Sequence, residues 1–197
     1  MIKFKIDTME KNITGIILAG GKSARMGTDK GFITLNQITF TQHIINSLSP
    51  IVDEIIIISN NENYDRFGVK RIPDCVSNFG PVAGVYSGLK ASKTDYNIIV
   101  SCDAPKVDLE VFKPLLKERN NCYDVVQYIV NTKTTPLIAM YHKKCINIFE
   151  LAVQNKIHQL RFVLEQLNCK TLIASDEIKP KLVNINTPVD LKQYNIC

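Results

Sequence analysis

The densest run of residues able to do chemistry is Leu18-Ala19-Gly20-Gly21-Lys22-Ser23-Ala24-Arg25-Met26-Gly27-Thr28-Asp29-Lys30. It follows Ile13 to Leu18, an apolar and β-branched run that reads as a buried strand. Gly20 and Gly21 free the backbone to take positive φ and to approach a ligand closely. Successive N–H groups in such a turn form a hollow that holds anions. Arg25 and Lys30 add two cations within ten residues, and arginine suits forked contacts to phosphate oxygens. The chemistry these residue types support is the holding of a polyphosphate. A strand-ending Gly-Gly turn with two solvated basic side chains would use the same letters.

Spacing excludes two familiar phosphate loops. Gly21-Lys22-Ser23 could end a P-loop, but Ile16 stands where its first glycine belongs and Gly15 is one place too early. The pattern G-x-G-x-x-G is absent too, because Gly20 and Gly21 are adjacent and position 24 is alanine.

Further candidates sit at the ends of other apolar runs. Glu54 to Ser59 contains four consecutive isoleucines, as a strand buried on both faces does. Asn60 and Asn61 follow at its carboxyl end, where open α/β sheets place ligands. Val69 to Ile72 reads as a short strand leading to Asp74 and then Gly80-Pro81-Val82-Ala83-Gly84. That glycine turn feeding a helix start permits close approach to a flat ligand, or equally close helix packing. Tyr96 to Ser101 is another buried strand, ending in Cys102-Asp103-Ala104-Pro105. A carboxylate at a parallel strand's carboxyl tip is placed for a hard cation such as Mg²⁺, or for capping a helix.

The elements that must position these residues follow in order. Phe32 to Leu35 is a short extended piece, and Thr41 caps a helix carrying Ile44, Ile45 and Leu48 until Pro50 interrupts it. Asp108 starts a helix that Pro114 kinks or restarts. Tyr123 to Val130 and Leu137 to Tyr141 read as two antiparallel strands joined by a polar turn. Leu160, Val163, Leu164 and Leu167 have the spacing of an amphipathic helix packed on the core. Lys170 to Ala174 and Lys181 to Ile185 close the sheet, and Asn184 and Asn186 at that last strand's end point the same way. Thr187 and Pro188 fit a helix N-cap and first position.

A chain of 197 residues reads as one domain that buries roughly 70% of its unfolded surface. Its 45% hydrophobic and 22% charged content is that of a globular protein. No apolar run approaches the ~20 residues of a membrane span, and the start lacks the apolar core of a secretory signal, so a cytoplasmic protein is expected. Six scattered cysteines without a C-x-x-C pair, and His43, His142 and His158 without ligand spacing, argue against a zinc or redox motif. The formal charge of +5 favours anionic ligands, but its dispersal argues against nucleic acid as a partner.

The run LAGGKSARMGTDK resembles the nucleotide-binding opening of the molybdenum cofactor guanylyltransferases. Asp74 followed by GPVAG resembles that family's second nucleotide segment, D-x5-G-P-x-A-G. Cys102-Asp103-Ala104-Pro105 resembles its C-D-x-P, whose aspartate holds the catalytic metal. Thr135 to Tyr141 resembles x-P-L-x-A-x-Y, and Asn184 to Asp190 matches the N-x-N-T-P-x-D found near the pterin substrate. The resemblance spans roughly Ile13 to Leu191. Two departures stand out: Gln37-Ile38-Thr39 replaces the usual Gly-x-Pro of a tight turn, and Thr135 stands where Gln or His is usual.

Pattern and resemblance together imply a single Rossmann-like α/β nucleotidyltransferase domain over residues 13–197, after an extension of residues 1–12. Its mostly parallel sheet would be flanked by helices on both faces. The implied reaction joins GMP from GTP to molybdenum-bound molybdopterin, with Mg²⁺ as cofactor and pyrophosphate as by-product. Leu18, Ala19, Gly20, Gly21, Lys30, Asn61, Asp74, Gly80, Gly84 and Asp103 would bind the nucleotide. Arg25 would face its departing β/γ end, Lys30 its α-phosphate, and Asp103 the metal. Asn184 and Asn186 would meet the acceptor. Cofactor-biosynthesis proteins or molybdoenzyme chaperones are possible partners. The same scaffold could instead transfer cytidylyl to the pterin, or a nucleotide to a sugar phosphate. A nucleotide-binding partner protein without catalysis would not need Arg25, Lys30 and Asp103 together.

Overall fold

The computed structural model describes residues 12–20, 29–76, 79–119 and 121–194. The extension up to residue 11, Gly21 and Arg25 lie outside them. The chain opens with β1 (Ile13–Leu18), followed after the glycine segment by a 3-10 turn at Lys30–Phe32. A small hairpin, β2 (Thr34–Leu35) and β3 (Ile38–Thr39), leads into α1 (Phe40–Leu48). Next come β4 (Glu54–Ile58), a 3-10 stretch at Glu62–Phe67, β5 (Lys70–Ile72) and α2 (Pro81–Ala91). Then follow β6 (Tyr96–Ser101), α3 (Leu109–Lys117), β7 (Val125–Val130) and β8 (Lys133–His142). The chain continues through α4 (Ile146–Gln154), α5 (Leu160–Leu164), β9 (Cys169–Ile173) and α6 (Pro188–Tyr194).

Seven strands form one sheet in the order β5-β4-β1-β6-β8-β7-β9. β1 pairs in parallel with both β4 and β6, and β8 alone runs against its neighbours. The central strands are apolar on both faces because both faces are covered. Ile17, Ile55, Ile57, Ile98 and Val100 meet α1 and α3 on one side, and Ile16, Ile56, Ile58 and Ile99 meet α2, α4 and α5 on the other. The expected α/β architecture is the one observed. α2 lies so close to β1 that a side chain at Gly88 would come within 2.6 Å of Ile16.

The chain order β1, β4, β5 runs outward to one edge, then returns to place β6 on the other side of β1. The connections therefore diverge on either side of β1, and the carboxyl ends of β1 and β6 bound a crevice, the place where such sheets take their ligands.

Several local expectations are corrected. The N-cap of α1 is Thr39, whose side chain accepts from the Gln42 N–H at 3.3 Å, and Thr41 lies within the helix. The tight turn survives its unusual sequence, with Asn36 and Gln37 both at positive φ (51° and 66°) in a two-residue hairpin loop. That is the backbone such hairpins need. α3 runs through Pro114 as one helix, N-capped as expected by Asp108. α5 stops at Leu164, short of Leu167. Lys181 to Ile185 is not a strand; it leaves a 3-10 turn at Lys179–Lys181, and beyond that turn the Ile185 N–H donates to the Asp103 carbonyl at 2.8 Å.

Candidate functional site

A cleft of about 580 Å³ opens at the carboxyl ends of β1, β4 and β6. Each wall is the tip of one element. Leu18, Ala19 and Gly20 leave β1, and Ser59, Asn60 and Asn61 leave β4. Asp74 follows β5, and Gly80, Pro81 and Gly84 supply the start of α2. Ser101 and Leu137 form the far side. All the described residues expected on the nucleotide, apart from Lys30 and Asp103, thus line one space.

The start of α2 is open by construction. Gly80 precedes it at φ 78°, a conformation that suits glycine. Pro81 occupies the first position, and no side chain caps the helix. Uncapped N–H groups and the helix dipole make this end attractive to an anion. A side chain at Gly84 would meet Leu18 at 3.4 Å, an ordinary contact, so the tight approach of this helix to β1 is at Gly88 and not here. The glycine segment thus both lines the cleft and lies against β1.

Lys30 and Asp103 meet beside this cleft. The Lys30 ammonium donates to Asp103 Oδ2 at 3.3 Å and to Asn186 Oδ1 at 2.5 Å. Both charged side chains are largely buried, at 17% and 15% exposure, which weakens solvent screening between them. Asp103 Oδ1 is buried without a hydrogen-bond partner among the described residues. Neighbouring Cys102 adds no charge, because burial, helped by Asp103 and Asp29, pushes its thiol up to about 12. Asn186 is brought to this cluster, whereas Asn184 is exposed two residues upstream, across the buried Ile185. Asp190 accepts from the Asn186 and Thr187 N–H groups at 2.9 Å each, and Thr187 caps α6 in return, so the asparagine segment is braced from behind.

On the opposite wall, the Asp74 N–H donates to Asn60 Oδ1 at 3.0 Å, and Ser87 donates to Asp74 Oδ1 at 3.0 Å. Burial holds the Asp74 carboxyl above the ordinary carboxylate range, against the pull of Ser87 and nearby N–H donors.

Sequence reasoning missed Asp29, Tyr64 and Gly31. Asp29 lines the cleft, and its carboxylate accepts from the Tyr64 hydroxyl at 2.5 Å, Asn61 Nδ2 at 3.0 Å and the Gly31 N–H at 3.2 Å. Gly31 has no room for a side chain, since a Cβ would strike the Tyr64 hydroxyl and lie 2.6 Å from Thr41 Oγ1. Asp29 stood inside the motif and could have been picked out there, but nothing in the spacing marks Tyr64.

The model of the MobA-like NTP transferase domain matches residues 15–171 of this chain. The chain belongs to that family. Two relatives, from Flavobacterium johnsoniae and Bacillus mycoides, carry the name "probable molybdenum cofactor guanylyltransferase". The first is 32% identical over 186 residues, covering 94% of this chain and 98% of its own. The second is 32% identical over 188 residues, covering 91% and 94%. The crystal structure of molybdopterin-guanine dinucleotide biosynthesis protein A from Archaeoglobus fulgidus superposes with a TM-score of 0.80 at 24% identity, covering 93% of this chain and 97% of that one. This MobA-like chain is therefore a nucleotidyltransferase by family, built on the fold its sequence implied. No helix among the described residues is long and apolar enough to cross a membrane.

Proposed function

We propose that this MobA-like chain transfers the guanylyl group of GTP to molybdenum-bound molybdopterin and releases pyrophosphate. The observation that carries this reading is the meeting of Lys30, Asp103 and Asn186 beside the cleft at the β1–β6 crevice. The names of the two relatives support the choice of nucleotide and acceptor.

In this reading the acceptor's terminal phosphate attacks the α-phosphorus in line, and the bond to the β-phosphate oxygen breaks. A phosphate nucleophile needs little help from a base, so the protein contributes position and charge. Gly20 and Gly21 cradle phosphates, and Arg25 faces the departing pyrophosphate. Lys30 neutralises the α-phosphate, with Asn186 and Asp103 holding its ammonium ready before substrate arrives. Leu18, Ala19, Asn61, Asp74, Gly80 and Gly84 enclose the nucleotide. Asn184 and Asn186 face the acceptor.

The buried Oδ1 of Asp103, without a partner among the described residues, fits a hard divalent cation, and Mg²⁺ needs only one or two carboxylates where substrate phosphates complete its shell. Held by Asp103, Mg²⁺ would offset the negative charge that develops during transfer.

The test is pyrophosphate release by the purified protein with Mg²⁺, molybdopterin and each nucleoside triphosphate in turn. GTP is expected to exceed ATP, CTP and UTP by at least about tenfold, a difference of ~1.4 kcal/mol. Equal or greater release from CTP would transfer the chain to the cytidylyl reading, and no release from any nucleotide would end the catalytic one.

A further inference from the structure

Lys30 can act on a phosphate only if both ends of it are held: Asp103 and Asn186 hold its ammonium, and the anchor of its backbone lies one residue earlier. Asp29 caps the 3-10 turn that begins at Lys30. Three donors fill its carboxylate: the Tyr64 hydroxyl and the Gly31 N–H on Oδ1, and the Asn61 amide on Oδ2. Tyr64 is fully buried, and its ring packs against a stacked pair, Phe32 and Phe67, with centroids 4.6 and 6.0 Å away. Burial, with Cys102 and Asp29 nearby, keeps its hydroxyl protonated and therefore a donor. Gly31 leaves open the space that this hydroxyl occupies. A tyrosine present only to fill the core would not need its oxygen at 2.5 Å from a carboxylate on the rim of the cleft.

We propose that Tyr64 is a positioning residue for nucleotidyl transfer, acting through Asp29 to deliver the Lys30 ammonium to Asp103 and the α-phosphate. Asn61 shares this task, so the residue expected on the nucleotide also steadies the lysine from behind. The inference rests on the transferase reading for its effect on rate, but the coupling of Tyr64 to Lys30 is a property of the protein alone. Misplacing a catalytic group by about 1 Å can cost as much as a hundredfold in rate.

The experiment is a double-mutant cycle of Tyr64→Phe with Lys30→Ala, read in kcat, in KM for GTP and in the NMR signal of the Lys30 ammonium. Tyr64→Phe keeps the ring and removes one oxygen. It is expected to lower kcat about tenfold with KM for GTP changed less than twofold, and to broaden or lose the ordered ammonium signal. In the Lys30→Ala background it should cost nothing further. Equal losses in both backgrounds, or an unchanged ammonium signal, would overturn the proposal and leave Tyr64 a packing residue. If the unaltered protein proves inactive on GTP, the transferase reading falls while the ammonium signal still decides the coupling. Should Tyr64→Phe fail to fold, Asp29→Asn breaks the same relay from its other end, with the same non-additivity expected.

Discussion

The main-chain N–H of Ile185 donates to the main-chain carbonyl of Asp103 at 2.8 Å. A segment near the far end of the chain is thereby pinned to the carboxyl tip of β6, and the next residue, Asn186, reaches Lys30. Three stretches separated by dozens of residues meet in one cluster of polar atoms. Its members should be separable by what each substitution spares.

Asp103→Asn keeps the shape of the side chain and the backbone bond to Ile185 while removing the charge. Turnover should fall about a hundredfold or more, ~2.7 kcal/mol or greater at 1.36 kcal/mol per tenfold. The melting temperature should stay close to that of the parent. Near-normal turnover in the folded variant would assign the metal to another residue.

Asn186→Ala and Asn184→Ala should part company. Asn186 holds the Lys30 ammonium, so its loss is expected to lower kcat about tenfold with the acceptor saturating. Exposed Asn184 should instead raise KM for the pterin and leave GTP binding and melting temperature unchanged. If both variants weaken GTP binding and melt early, the pair is a brace for α6 and not an acceptor contact.

Nucleotide binding should stabilise the fold selectively. GTP at ~100 times its dissociation constant should add about 2.7 kcal/mol, visible as a raised melting temperature that ATP, CTP and UTP at equal concentration do not match. The same shift from all four would remove guanine selectivity.

Asp74 sets a pH dependence in the free protein. Its folded carboxyl is raised by burial, so the folded state keeps this proton to higher pH than the unfolded chain does. Stability from this group is therefore lost as pH rises from the unfolded value of ~3.9 through the raised folded value. Asp74→Asn removes that loss. Denaturation of the free protein across this range should show the variant gaining on the parent as pH rises. A constant difference at every pH would deny the shift.

Gln37 sits at φ 66° in its hairpin loop, where a side chain is strained. Gln37→Gly should relieve on the order of 1 kcal/mol and raise the melting temperature by about 2–4 °C. A fall would mean the side chain makes a contact worth more than the strain.

The central strands were legible because burial on both faces leaves continuous apolar runs. β1 and β6 begin and end where their residues said, and the residues at the tips of the strands share a cleft as expected. What escaped depends on partners distant in sequence. Thr39 caps α1 instead of Thr41 because hairpin pairing leaves it extended at ψ 151°. β8 begins four residues early, at polar Lys133 and through Pro136, because β7 is there to pair with it across a bulge. Lys181 to Ile185 alternates like a strand but joins the Asp103 turn by a main-chain bond instead of pairing with a neighbouring strand. Tyr64 could not be singled out, since its partner Asp29 lies 35 residues away and any buried aromatic would look alike in the sequence.

The bond from Ile185 to Asp103 also has a consequence for how the enzyme is made. The chain is synthesised from its amino end, so the elements that wall the cleft, from β1 to β8, emerge from the ribosome before the segment that carries Asn186. A nascent chain not yet extended to Ile185 and Asn186 would have the walls of the cleft but would leave the Lys30 ammonium without Asn186 and the Asp103 turn without its anchor. Assembly of the cluster therefore waits on the segment that carries Asn186, although the walls of the cleft are synthesised first.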